Sequence, residues 1–322
     1  MNVKSNWYSA ALFSVVLMAG LLTFAEIDTF FELLNEVPWP LIACSMLLFQ
    51  VEGLCTALRI RRLVAPESSL VASLQVTGWW VLGLVVLPAR LGEVTGMHMV
   101  CRYLLVDVGS AFNSLVMQRT LDGLWLLVFA AGVLLFQFRL ADNLVIGVVL
   151  LAAIALVAIV MANLPRVFSF LMVCTRRKRN WLFMRTVTRF FLQAARSARD
   201  LRGWRVHFEL STMTALKWMC GLAALSIVLM SLIPSLALFA AFTIAVLFSL
   251  ASILPVQTIG GIGLGDISVA AALGWYGIDL PVAASAAVLT RVVLICAPLM
   301  FFVLAIGAGQ IARLDRKASD AR

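Results

Sequence analysis

Four charged side chains recur at matched spacing in an otherwise apolar sequence. Glu93 closes the stretch LPARLGE (87–93), and Arg119 follows twenty-six residues later. Asp266 closes LPVQTIGGIGLGD (254–266), and Arg291 follows twenty-five residues later. A carboxylate facing a guanidinium offers two kinds of chemistry. It can be an ion pair that pins one element to another. Alternatively, the guanidinium can offer its fork of donors to a phosphate or other anionic headgroup while the acid balances its charge. Arg90 joins this set, as does Asp122, which shares a helix face with Arg119 at i+3.

Other chemistries lack the residues they need. With two histidines and no carboxylate cluster, no metal site is expected. No nucleophile with a base and an acid stands out, so no enzyme activity and no cofactor are expected. The run GGIGLG (260–265) is not a nucleotide loop, because no Lys-Ser/Thr follows it and no strand precedes it. Its expected role is close backbone approach. The six cysteines show no CxxC spacing and read as small core residues. His98, Arg102, Asp107 and Lys217 are read as structural or snorkelling groups near helix ends or the interface. Glu52 is read as a polar contact inside a helix. Trp79, Trp80, Trp275 and Tyr276 are read as packing or interfacial aromatics.

The elements that must position the four charges are membrane spans. Hydrophobic residues make up 63% of the 322 and charged ones 13%, with a mean hydropathy of +1.03. Soluble domains hold roughly 45–50% apolar and about 25% charged residues. Windows of bilayer length without any charge occur, 144–164 among them. The expected fold is an all-α polytopic membrane protein, a single domain over 1–322. It has six full spans (7–25, 38–58, 110–136, 144–164, 207–231 and 281–309) and two Pro/Gly-broken helical hairpins (70–106 and 235–276). The first span follows Lys4 and is expected to be an uncleaved anchor, since its apolar core is long and no A-x-A site follows.

The net charge of +9 is unevenly placed. Eleven Lys and Arg lie in 165–207, three in 59–68, four in 311–322 and one in 1–6. The connections 26–37, 138–143 and 277–280 hold six acids against one arginine. This positive-inside pattern places both termini in the cytoplasm and makes nucleic acid an unsuitable partner. It also makes the first hairpin open inside and the second outside. The two would then form an inverted repeat, with halves of roughly 1–164 and 207–310 joined by 165–206. The hairpin tips are assigned to Pro88 and Gly92 in the first and to Pro255, Gly261, Gly263 and Gly265 in the second. Their legs are either shallow re-entrant pieces or nearly full crossings. Within 176–205, arginines 185, 189, 196 and 199 share one helical face opposite Phe183, Val187, Phe190 and Leu201. That is an amphipathic segment suited to anionic headgroups, although the RRKR cluster alone fits a solvated loop equally well.

Arg119 lies nine residues into its expected span and Arg291 ten into its own, ~14–15 Å deep at 1.5 Å per residue. Charges at that depth are expensive and usually mark a substrate path.

LPARLGE with QRTLD (118–122), followed by LP…GGIGLGD and a later helix arginine, resembles the lysylphosphatidylglycerol synthase transmembrane, or flippase-like, family. The resemblance covers nearly the whole chain. It implies a bacterial or archaeal plasma-membrane protein that moves a lipid between leaflets. It also implies roles for Pro88, Arg90, Gly92, Glu93, Arg119, Asp122, Gly261, Gly263, Asp266 and Arg291. The chain departs from the family pattern where Asp266 replaces a frequent glutamate. It departs again at Thr95, Gly96 and Met97, where an arginine often follows the first Gly-Glu. Some relatives carry a cytosolic aminoacyl-lipid synthase after this unit. This sequence ends at RLDRKASDAR, so no aminoacyl transfer is expected of it, and a separate lipid synthase or a second copy are the partners to consider besides membrane lipids. The expected function is translocation of a lipid or lipid-linked molecule with a polar, phosphate-containing headgroup. The alternative is a membrane-embedded enzyme or accessory subunit in polyprenyl-lipid, hopanoid or aminoacyl-lipid metabolism.

Overall fold

The computed structural model of the chain describes residues 26–87, 91–137, 203–253 and 264–320, with single positions at 23, 155, 163, 166, 170, 173, 192, 193 and 196. The expected spans 7–25 and 144–164 and the amphipathic segment 176–205 fall essentially outside the described residues. So do the tip residues Pro88, Arg90, Pro255, Gly261 and Gly263.

All described elements are helices: α1 (Ile27–Glu36), α2 (Trp39–Val64), α3 (Leu70–Val86), α4 (Leu91–Leu104), α5 (Val108–Gln137), α6 (Trp204–Leu232), α7 (Leu238–Ile253), α8 (Leu264–Trp275) and α9 (Leu280–Asp320). Four helices are long and apolar enough to cross a bilayer: Trp39–Val64, Val108–Gln137, Trp204–Leu232 and Leu280–Ala312. These correspond to four of the six expected spans. The hairpin legs α3, α4, α7 and α8 hold 17, 14, 16 and 12 residues. At 1.5 Å per residue each falls short of a ~30 Å hydrocarbon core.

Local sequence sets the helix ends. Ser69 caps α3, its Oγ accepting from the Ala72 amide at 3.2 Å. α3 stops just before Pro88, whose ring disfavours helical backbone in the preceding residue. Asp107 caps α5 by accepting the Ser110 amide at 3.0 Å and the Ser110 hydroxyl at 2.7 Å. Gly277, at φ 82°, ends α8 in a Schellman turn, with Ile278 N–H donating to Leu273 O and Gly277 N–H to Gly274 O. α2 continues through Arg59, Arg61 and Arg62 to Val64, six residues beyond the expected end of that span. Arginine is a good helix former, and a basic last turn suits the helix dipole.

The helices assemble into two compact units interleaved along the chain. Unit A comprises Met1–Leu54, Gly78–Thr95 and Lys217–Arg322; unit B comprises Cys55–Thr77 and Gly96–Leu216. In unit A, α7 packs on α8, α8 on α9, and α9 on α1. Its fully buried residues include Leu229, Ile244, Ala245, Leu273 and Ala286. Ring contacts extend this packing: Trp79 meets Phe302 edge to face at 4.9 Å. In unit B the fully buried residues include Ala57, Ile60, Val76, Leu126 and Leu210. Two of the cysteines expected in the core, Cys44 and Cys296, are exposed, and none of the described cysteines forms a disulfide.

Candidate functional site

Unit A carries a buried charge pair. Asp266 sits in the first turn of α8, where a carboxylate suits the positive end of the helix dipole. Gly265 lets α7 close over it, since a Cβ there would meet Phe248 Cε2 at 2.8 Å and Ser252 Oγ at 2.9 Å. Arg291 lies eleven residues into α9, ~17 Å along its axis. Its Nε donates to Asp266 Oδ1 at 2.7 Å, and its guanidinium lies 5.4 Å from the centre of the Phe248 ring. Arg291 is 7% exposed and Asp266 2%. The pair is neutral and incompletely satisfied, because Arg291 Nη2 is buried with no hydrogen-bond partner among the described residues. Leaving such a donor unpaired costs about 1–3 kcal/mol, more when it is charged.

Unit B carries a different centre, built on an arginine that sequence reasoning missed. Arg59 is 0% exposed; its Nη1 donates to Asp122 Oδ1 at 2.7 Å and its Nη2 to the Gln118 carbonyl at 3.2 Å. Its Nε has no hydrogen-bond partner among the described residues. Arg119, with 41% of its side-chain surface exposed, places Nη1 3.8 Å from Asp122 Oδ2. Asp122 thus faces two arginines and is closest to the one from α2. Gln118 in turn donates to Ser114 Oγ at 3.1 Å, so residues 114, 118 and 122 form a buried polar stripe on α5. In the sequence, Arg59 reads as part of the basic run RIRR. The signal that would have separated it is helical register: Cys55, Arg59, Ile60 and Leu63 share a 3–4 spacing and are all buried, whereas Arg62 sits at the surface with Glu209 at 2.7 Å.

Glu93 occupies the first turn of α4 in unit A, half-buried, while Arg119 belongs to unit B. Gly92, the residue before it, is the tightest approach to another backbone among the described glycines. A Cβ there would lie 2.4 Å from Leu84 N and 2.5 Å from Gly83 C, so only glycine lets α4 fold against the backbone of α3. Lys217 differs from its expected place near a helix end or the interface. It lies thirteen residues into α6, is buried, and holds its ammonium 4.4 Å from the Trp218 ring centre. Glu52 does make a helix-interior contact, its carboxylate resting where a Gly221 side chain would be, at 2.8 Å from the Cβ position. His98 and Arg102 are exposed. Among the described residues no group of three His, Cys, Asp or Glu could hold a metal ion.

Chemically, unit A offers a neutral arginine–aspartate pair with one spare buried donor, and unit B a half-exposed arginine beside an acid already bound. Both arrangements are suited to accepting oxyanion oxygens. No curated protein and no solved structure matches the chain. One family does: the model of the lysylphosphatidylglycerol synthase TM region matches residues 10–301. The chain therefore belongs to that family, membrane-embedded and lipid-related, and is a helical multi-pass membrane protein within it.

Proposed function

We propose that this protein carries a lipid with a phosphate-containing headgroup from one membrane leaflet to the other. The observation that supports this most is Arg291 Nη2, a charged donor buried without a partner among the described residues, beside a neutralising aspartate. An arginine that only pinned α8 to α9 would gain by satisfying every donor, as buried polar groups generally do. A phosphate oxygen on Nη2 would complete the guanidinium without disturbing Asp266. In this reading Arg119, with Asp122 beside it, meets the headgroup in unit B. Arg90, Glu93 and the glycine-rich tips line the route. The charges replace the headgroup's hydration, and the acyl chains stay in lipid. The protein would sit in a bacterial or archaeal plasma membrane with both termini in the cytoplasm, binding anionic headgroups along 176–205 and working alone, as a homo-oligomer, or with a separate lipid synthase.

The double variant R119K/R291K tests this. Lysine keeps the positive charge that the acids require but loses the planar fork. In phosphatidylcholine proteoliposomes carrying a fluorescent phosphatidylglycerol probe, the variant should fold as wild type does and move the probe about tenfold more slowly. An unchanged rate would sink the headgroup-clamp reading. Mass spectrometry of the same vesicles separates the enzymatic alternative, which would leave a chemically altered lipid.

A further inference from the structure

We propose that α9 is a jointed helix: Pro298 is its hinge, Gln50 of α2 is the latch across it, and Arg291 rides on the half that swings. Proline has no N–H, so the carbonyl of Leu294, four residues back, loses its helical donor, and the ring crowds the same turn. Such a break is tolerated inside a membrane span when a neighbouring helix supplies hydrogen bonds to the loosened backbone. Gln50 does so from α2. Its Nε2 donates to the carbonyl of Ala297, the residue before the proline, at 3.3 Å, and to Met46 O in its own helix at 3.2 Å. Both partners are carbonyls, so the amide nitrogen has to face the joint. Its Oε1 is buried with no hydrogen-bond partner among the described residues, a cost that an apolar packing residue would not carry.

The two halves of α9 are held differently, and every contact concerned lies within unit A. After the hinge, three contacts key the helix into its neighbours. A Cβ on Gly53 would overlap the Phe301 ring, Trp79 meets Phe302 edge to face, and a Cβ on Gly78 would lie 3.1 Å from the Ala305 Cβ. Before the hinge, α9 carries Arg291 and is joined to α8 through residues 276–279, with Asp266 Oδ1 on Arg291 Nε. Leu280 lies eighteen residues before Pro298, ~27 Å along the axis, and Arg291 seven residues before it, ~10 Å. A proline swing of about 20° carries Leu280 by ~9 Å and Arg291 by ~4 Å. A shift of that order makes or breaks a hydrogen bond at Nη2. The latch thus sets when the buried donor meets an oxyanion. The alternative is that Gln50 and Pro298 only fix a static bend.

Pulsed electron paramagnetic resonance tests the joint in the full-length protein in phosphatidylglycerol nanodiscs, with the six native cysteines replaced by alanine. Leu41, Leu280 and Ile311 are exposed and serve as label sites. Labels on L41C/L280C read the swinging half of α9 against α2, and labels on L41C/I311C read the pinned half. Q50L releases the latch and should add a second 41–280 population, displaced by up to ~9 Å. Q50L/P298A should return to one population, because alanine restores the hydrogen bond to Leu294. The 41–311 distance should stay the same throughout. Q50M serves if Q50L does not fold. A single 41–280 population in Q50L overturns the inference, and so does a second population that survives P298A. A 41–311 shift as large as the 41–280 shift also overturns it, since Gln50 would then fasten the whole helix. The inference rests on the lipid-transport reading only for its consequence. P298A should slow the fluorescent phosphatidylglycerol probe about tenfold, as loss of a hinge does when motion limits turnover. A wild-type rate in P298A overturns the joint's part in transport. If the populations follow the predicted order while no protein, wild type included, moves the probe, the transport reading fails and the joint stands.

Discussion

The charged centres of the two units use the same side-chain types at very different distances along the chain. In unit A, Arg291 and Asp266 lie 25 residues apart on consecutive helices, one carboxylate to one guanidinium. In unit B, Arg59 and Asp122 lie 63 residues apart, and a second arginine, Arg119, stands nearby. The first centre is neutral and leaves Arg291 Nη2 without an acceptor among the described residues. In the second, two arginines flank one aspartate, the buried one closer than the half-exposed one.

The largest effect that would break this comparison is D122N. It strands a fully buried guanidinium and should cost about 3–5 kcal/mol, read as a lowered unfolding temperature in detergent. D266N should cost less, about 3 kcal/mol, because Arg291 keeps an amide oxygen and the Phe248 face. The reverse order would mean that the centre in A, not that in B, is the more tightly bound. The two glycines before the acids sharpen the contrast within unit A. G92A drives a methyl into the backbone of residues 83 and 84 and should cost about 3 kcal/mol, the upper end for overpacking. G265A meets a phenylalanine edge and a serine hydroxyl that can rotate away, and about 1 kcal/mol is expected. Equal losses would show that the hairpin backbones yield more than their spacing suggests. Smallest of all is E209Q, which removes the exposed partner of Arg62 and should change the unfolding temperature by the equivalent of less than about 0.5 kcal/mol.

The contrast also explains what is legible in the sequence. Asp266 and Arg291 are recognisable as partners because a single short turn joins their helices, and a charge in an apolar run has few nearby choices. The four long helices are recognisable because bilayer thickness fixes their length. Arg59 is not, since its partner arrives on a helix separated from α2 by a whole hairpin. Its two arginine neighbours also disguise it as a topology signal, and only the register of Cys55, Ile60 and Leu63 sets it apart. The depth of Lys217 is legible too, since the expected span 207–231 places it ten residues in and α6 places it thirteen. The number of arginines around Asp122 is a property of packing, which composition and spacing do not specify.

The separation of Arg59 from Asp122 also has a consequence in time. A ribosome adding ~5–20 residues per second delivers Asp122 some 3–13 s after Arg59. During that interval the newly made α2 holds a guanidinium without the carboxylate that finally binds it. Arg59 lies five residues before the end of α2, with Arg61 and Arg62 beyond it, so its long side chain can wait at the headgroup layer. Only when α5 emerges can it be drawn into the position it finally occupies. In the other centre the acid is made first and its arginine follows 25 residues later, within ~1–5 s. Birth order thus gives the pair in B the longer wait although it can close first, and synthesis paused between residues 59 and 122 should yield a chain whose second helix can still slide toward the membrane surface.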